Sequence, residues 1–150
     1  VWQKVDTIRH AIEGASITPA RDRDKLAMRE LAAIDAFTRG QAGLQEWQDL
    51  AALNNITQTL AAMDVGREAM PDCHKAESAL VEAAQRFERT GKMGLSGPGI
   101  QAVREVIGWH DAQRQAIPRS KYEQALRLTV ARVKSGHATV DVNEVINAAC

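Results

Sequence analysis

A chain of 150 residues, 45% hydrophobic, 25% charged and formally neutral at pH 7, has the makeup of one globular domain able to bury roughly two thirds of its unfolded surface without disulfide or metal staples. Aromatics make up only 4%, so the core must be built from Leu, Ile, Val, Met and Ala, which favours closely approaching helices over a sheet sandwich. No apolar run approaches the roughly 20 residues of a membrane span, and the start lacks the charged-then-apolar order of a signal peptide, so a cytoplasmic protein without membrane contact is expected; the first residue is Val1 rather than Met, which leaves room for a preceding segment.

Pro19, Pro71, Pro98 and Pro118 stand where helical patterns begin, and Gly14, Gly40, Gly91 and Gly136 where they end, as the hydrogen bonding of helix termini favours. Trp2, Val5, Ile8 and Ile12 form one stripe over an N-terminal helix, 1–13. Thr18 offers an N-cap and Pro19 a first turn to a second helix with Leu26, Leu31, Ile34 and Phe37 on or near its apolar face. A long bundle helix follows, with Leu44, Trp47, Leu50, Leu53, Ile56, Leu60 and Met63 in its stripe and Gln48, Asp49, Asn55 and Gln58 facing elsewhere.

The short connection Asp64, Val65, Gly66 predicts an antiparallel return, with Pro71 either in the first turn of the next helix or kinking it. Cys73, Ala76, Leu80, Ala83, Ala84 and Phe87 form that helix's apolar face, whose small residues let a neighbouring backbone come close. A Gly-rich loop is expected over 91–99. The fifth pattern carries Ile100, Val103, Val106, Ile107, His110 and Ile117. A sixth opens with Ser120 and Glu123 at capping-box spacing and continues through Tyr122, Leu126, Thr129, Val130 and Val133. In the C-terminal extension, 137–150, Asp141 offers a cap to a short last helix through Val145, Ile146 and Ala149. Sustained alternation of period two is absent, so the expected fold is all-α: a single bundle of about five main helices plus a short C-terminal one.

Adjacent Cys73 and His74 suggest zinc ligands, yet neighbouring helical residues diverge by about 100° and no second ligand pair completes a site. The reading adopted is a buried free Cys73 beside a solvated His74, with no metal and no cofactor. Gly108, Trp109, His110, Asp111 and Arg114 form a second cluster. A glycine inside a helix points to close packing or a ligand at the backbone, and His110 shares the stripe of Val103, Ile107 and Ile117. A hydrogen-bonded core histidine is favoured there, with a small-ligand enzyme around His110 as an alternative. None of Ser16, Ser78, Ser96, Ser120 or Ser135 lies in a nucleophile elbow. Ser96, Gly97, Pro98 and Gly99 superficially resemble a phosphate-cradling loop, but Pro98 deletes an amide and no Lys follows, so a linker is the better reading. Asp22 and Asp24, interleaved with Arg21, Arg23 and Lys25, describe a solvated turn.

Charge is segregated along the chain. Residues 41–85 hold seven acidic against two basic residues, and residues 86–136 ten basic against four acidic. A nucleic-acid reading follows, using Arg104, Arg114, Arg119, Lys121, Arg127, Arg132 and Lys134 as phosphate contacts. These cations spread around two helices with no recognition-helix pattern, so packing of acidic against basic helices, within a chain or between subunits, is preferred.

The run Leu31-Ala-Ala-Ile-Asp-Ala-Phe-Thr-Arg-Gly-Gln-Ala, then Trp47 with Leu50, Val65-Gly-Arg-Glu, Ala83-Ala-Gln-Arg with Thr90-Gly, and His110 with Gln113 resembles small helical proteins of bacterial prophages and conjugative plasmids. The resemblance, over residues 25–135, implies a mobile-element origin and binding to a host protein, and no activity. The expectation is thus a non-catalytic interaction module that binds and modulates a host macromolecule through helix faces, as a homodimer in one version. Trp47, Trp109, His110 and Arg114 are its interface candidates, Trp being enriched in binding hot spots.

Overall fold

Prolines and glycines mark the helix ends in three dimensions as well. The computed structural model describes residues 23–135, and within them the chain forms α1 (Arg23–Thr38), α2 (Leu44–Ala62), a 3₁₀ turn (Arg67–Ala69), α3 (Met70–Thr90), α4 (Gly97–Ala116) and α5 (Arg119–Lys134). No strand occurs among them, and the fold is an all-α bundle. The N-terminal helix expected over 1–13, the cap at Thr18, the charged turn around Asp22 and the extension 137–150 lie outside the described residues.

Gly40 and Gly91 follow α1 and α3 with φ of +69° and +73°, the left-handed conformation that closes a helix and that glycine adopts without a Cβ penalty. Pro71 lies in the first turn of α3, so it starts the helix and does not kink it. Two expectations need correction here. The Gly-rich loop ends at Ser96 rather than Gly99: the Ser96 hydroxyl accepts from the Gly99 amide at 3.1 Å, and the amide missing from Pro98 falls in a first turn, where it has no intrahelical partner to lose. Nor do Ser120 and Glu123 form a capping box. Pro118 occupies the N-cap and α5 begins at Arg119, which places Ser120 already inside the first turn.

Helix α2 is the axis of the bundle, packed against α1, the 3₁₀ turn, α3, α4 and α5. Every residue from Asp49 to Ala62 is buried. The expectation that Asp49, Asn55 and Gln58 face away from the core therefore fails, because a helix walled on all sides has no solvent face. Several of the buried polar groups have hydrogen-bond partners, whereas Asn54 Oδ1 has none. Gln45 donates to Asp49 Oδ1 at 3.0 Å, Thr57 and Thr59 return their hydroxyls to carbonyls one turn back, and Thr129 of α5 donates to Thr59 Oγ1 at 2.7 Å.

On α1 the inward row is Glu30, Ala33, Ile34 and Phe37, residues at i, i+3, i+4 and i+7. Leu31, expected on that face, is 58% exposed, and Met28 one turn earlier 71% exposed. A close approach of α3 and α4 occurs at Ala79, outside the row of small residues expected to allow one: a Cβ on Gly99 of α4 would stand 3.0 Å from Ala79 Cβ. Gly108 departs from its expectation, being exposed with nothing within 4 Å of the point where a Cβ would stand.

Candidate functional site

A buried charge on the apolar row of α1 organises the most polar part of the interior. Glu30 is 1% exposed and faces α4. His110 sits one helical turn before Arg114 on α4, and both reach the same carboxylate: His110 Nδ1 lies 2.9 Å from Glu30 Oε1 and Arg114 Nη1 3.4 Å from Glu30 Oε2. On the far side of the imidazole, Nε2 is 2.8 Å from the Tyr122 hydroxyl, with the two rings nearly parallel at an interplanar angle of 16°. Arg114 also stands 3.2 Å from His110 Nδ1, and its second terminal nitrogen donates to Asp111 Oδ1 at 3.2 Å. Glu30, His110 and Tyr122 thus form a carboxylate–imidazole–phenol series spanning α1, α4 and α5.

Such a set of contacts can orient an imidazole, although Glu30 Oε1, the carboxylate atom nearest the ring, makes no hydrogen bond itself. Here it is closed to solvent: His110 and Tyr122 are fully buried, and Arg114, 13% exposed at its side chain, is the member that reaches the surface. A ligand meets the imidazole only after Arg114 or a helix moves. One turn along α4, Gln113 fastens the same region to α2 by donating to the carbonyls of Thr57 at 3.2 Å and Val65 at 2.9 Å.

The other residues singled out from the sequence are spread through the fold. Trp47 is buried and donates Nε1–H to the Leu80 carbonyl at 2.8 Å, so it locks α2 to α3. Trp109 is half-buried and donates to Asp72 Oδ2 at 2.8 Å. As interface candidates, Trp47 and His110 are buried, Trp109 is half-buried, and Arg114 turns most of its side chain inward. Among the cations, Arg104, Arg119, Arg127 and Lys134 are exposed and Lys121 and Arg132 half-buried. Arg104 bonds Thr38 of α1, and Arg119 pairs with Glu123. Residues 127 and 134 are seven apart on α5 and share its outer face.

Cys73 is a buried free thiol and His74 is exposed. Burial, helped by Asp72 and Glu77, pushes the thiol up to about 12, so it stays protonated and inert. Burial also raises Asp49 above 3.8 and Glu77 above 4.5, against hydrogen bonds from Gln45 and Gln58 that pull the other way.

Sequence reasoning reached His110, Asp111 and Arg114 but missed Glu30 and passed over Tyr122 as a stripe residue. The available signal was a carboxylate in register with Ala33, Ile34 and Phe37, since a charge on an apolar row needs a partner inside. What fold and site define is an all-α bundle with a buried charged cluster at the junction of three helices. Compared with protein-family models, curated proteins and solved structures, the chain finds no significant match in any of the three.

Proposed function

We propose that this chain is a non-catalytic interaction module of phage or plasmid type, which binds and modulates a host protein through an outward helix face. The observation that carries the reading is the pair Met28 and Leu31, 71% and 58% exposed on the outer side of α1, while the inner side of that helix is already docked on α2 and α4. Large apolar side chains grouped on one outward turn favour a protein partner over open solvent. The groups best suited to chemistry, Glu30, His110 and Tyr122, lie against one another in the interior, which favours binding over catalysis.

Capture from host lysate with and without nuclease, comparing the chain with its Met28→Asp, Leu31→Asp double variant, tests this. The expected result is one stoichiometric protein that survives nuclease and is lost with the double variant, whose melting temperature stays within a few degrees of the parent because both positions are exposed. Retention of that protein by the variant moves the interface off α1. Sedimentation at twice the chain mass, abolished by the same variant, identifies a homodimer through this face.

A second reading draws on α5, whose outer face carries Arg127 and Lys134. A nucleic-acid backbone lying there gives an affinity that falls steeply with salt and weakens on Arg127→Glu, Lys134→Glu reversal. Salt-insensitive or absent binding to duplex and single-stranded oligonucleotides removes this reading.

A further inference from the structure

The fold treats the sulfur atoms of the chain unequally. All four methionines lie within the described residues. Met63 and Met70 are half-buried and pack on Ala62, and Met93 is half-buried against the main apolar core. The Cys73 thiol is buried and stays protonated, which withholds the thiolate that oxidants attack. Met28 alone among these is open to water, 71% exposed, and it stands three residues before the exposed Leu31 on the outer side of α1. The reactive sulfur and the outward apolar face therefore coincide.

We propose that the Met28 thioether is a reversible oxidation site, with a peroxide as its substrate, that switches the outward face of α1 from apolar to polar. The proposal rests on that face being the contact surface for a protein partner. A lone pair on Met28 Sδ attacks one peroxide oxygen, and the O–O bond breaks as the S–O bond forms. The departing hydroxide takes the proton from the transferred oxygen and leaves as water. Sulfur is oxidised by two electrons and the peroxide is reduced by two. The resulting sulfoxide carries a polar acceptor on a side chain that was apolar. Pressed against an apolar partner, that acceptor loses its water without gaining a donor, which weakens the contact by about tenfold or more. In the free chain it stays hydrated, so the fold does not feel it. Methionine sulfoxide reductases, one for each epimer, return the thioether and reopen the face.

Dilute hydrogen peroxide applied to the 150-residue chain, with each methionine followed by peptide mapping and mass spectrometry, tests the site. Met28 is expected to convert at least about tenfold faster than Met63, Met70 or Met93, since reactivity follows exposure. With Met28 alone oxidised, the melting temperature stays at the parent value. On a butyl column that species elutes earlier than the parent, close to Met28→Gln, and the two reductases restore the parent's retention. Equal oxidation of the four methionines, or unchanged retention, overturns the site. Capture from host lysate, after the peroxide has been removed, reads the consequence. Met28→Leu is the control, because it keeps an apolar side chain and lacks the sulfur. The captured protein should be lost from the oxidised parent, recovered after reduction, and held by peroxide-treated Met28→Leu. Loss from the treated Met28→Leu chain as well assigns the effect elsewhere and overturns the switch. If the oxidised parent keeps a protein that the Met28→Asp, Leu31→Asp variant loses, the contact face stands and the switch is overturned. If that double variant keeps it too, the face falls and the switch falls with it.

Discussion

Gly108 lies well inside α4 with open space where a side chain would begin, so nothing in the folded protein requires glycine there. Gly108→Ala should stabilise the fold by about 1 kcal/mol, the helix-propensity difference between the two residues, read as a rise in the urea midpoint at unchanged slope. Gly99 is the contrasting case. Its Cβ would crowd Ala79 at 3.0 Å, so Gly99→Ala should destabilise by forcing α3 and α4 apart. Composition records both glycines identically, and only the neighbour separates them. Cys73 yields a chemical prediction at the same scale: with its thiol pushed up to about 12, the native chain should not react with a disulfide reagent at pH 8, and full reaction should appear only in denaturant.

Some helix boundaries were legible because their causes are local, although the starts of α4 and α5 were placed by Ser96 and Pro118 rather than by Gly99 and Ser120. Gly40, Gly91 and Pro71 act through their own backbone, and each stands where its helix ends or begins. Helix faces were less legible, since they are decided by what surrounds an element. The stripe of α2 was readable, but not that its polar residues are walled in as well, because no pattern within α2 reports how many helices will pack around it. Burial of Asp49 and Glu77 has a consequence with a definite sign. Each carboxyl is raised in the folded chain, so between its ordinary value and its folded value the native state holds more protons than the unfolded one, and stability falls as pH rises through that window. Asp49→Asn, Glu77→Gln should flatten this fall from about pH 4 upward, leaving the double variant more stable than the parent at neutral pH in parallel melts.

Across the whole molecule, the site was half legible for a reason of distance. His110, Asp111 and Arg114 are neighbours on one helix and could be circled from sequence, whereas Glu30 meets Arg114 across 84 positions and is brought there only by the docking of α1. The tryptophans show the same limit: an interface anchor and a core anchor have the same residue type, and the bond from Trp47 to the Leu80 carbonyl decides for the core. Trp47→Ala should cost about 3–5 kcal/mol by chemical denaturation, with partner affinity unchanged once the folded fraction is corrected.

Enclosure of α2 bears on how the chain can be divided. The loop at 91–96 parts α1, α2 and α3 from α4 and α5, yet the wall around α2 draws on both sides of that cut. A backbone severed there yields one piece with its central helix stripped along a flank and another with two helices and nothing to enclose. Neither piece should show cooperative melting by itself, and mixing the two should restore the circular dichroism and the melting transition of the intact chain. The bundle is in that sense indivisible: its smallest folding unit includes every helix that touches the axis, although the covalent chain offers an obvious place to cut it.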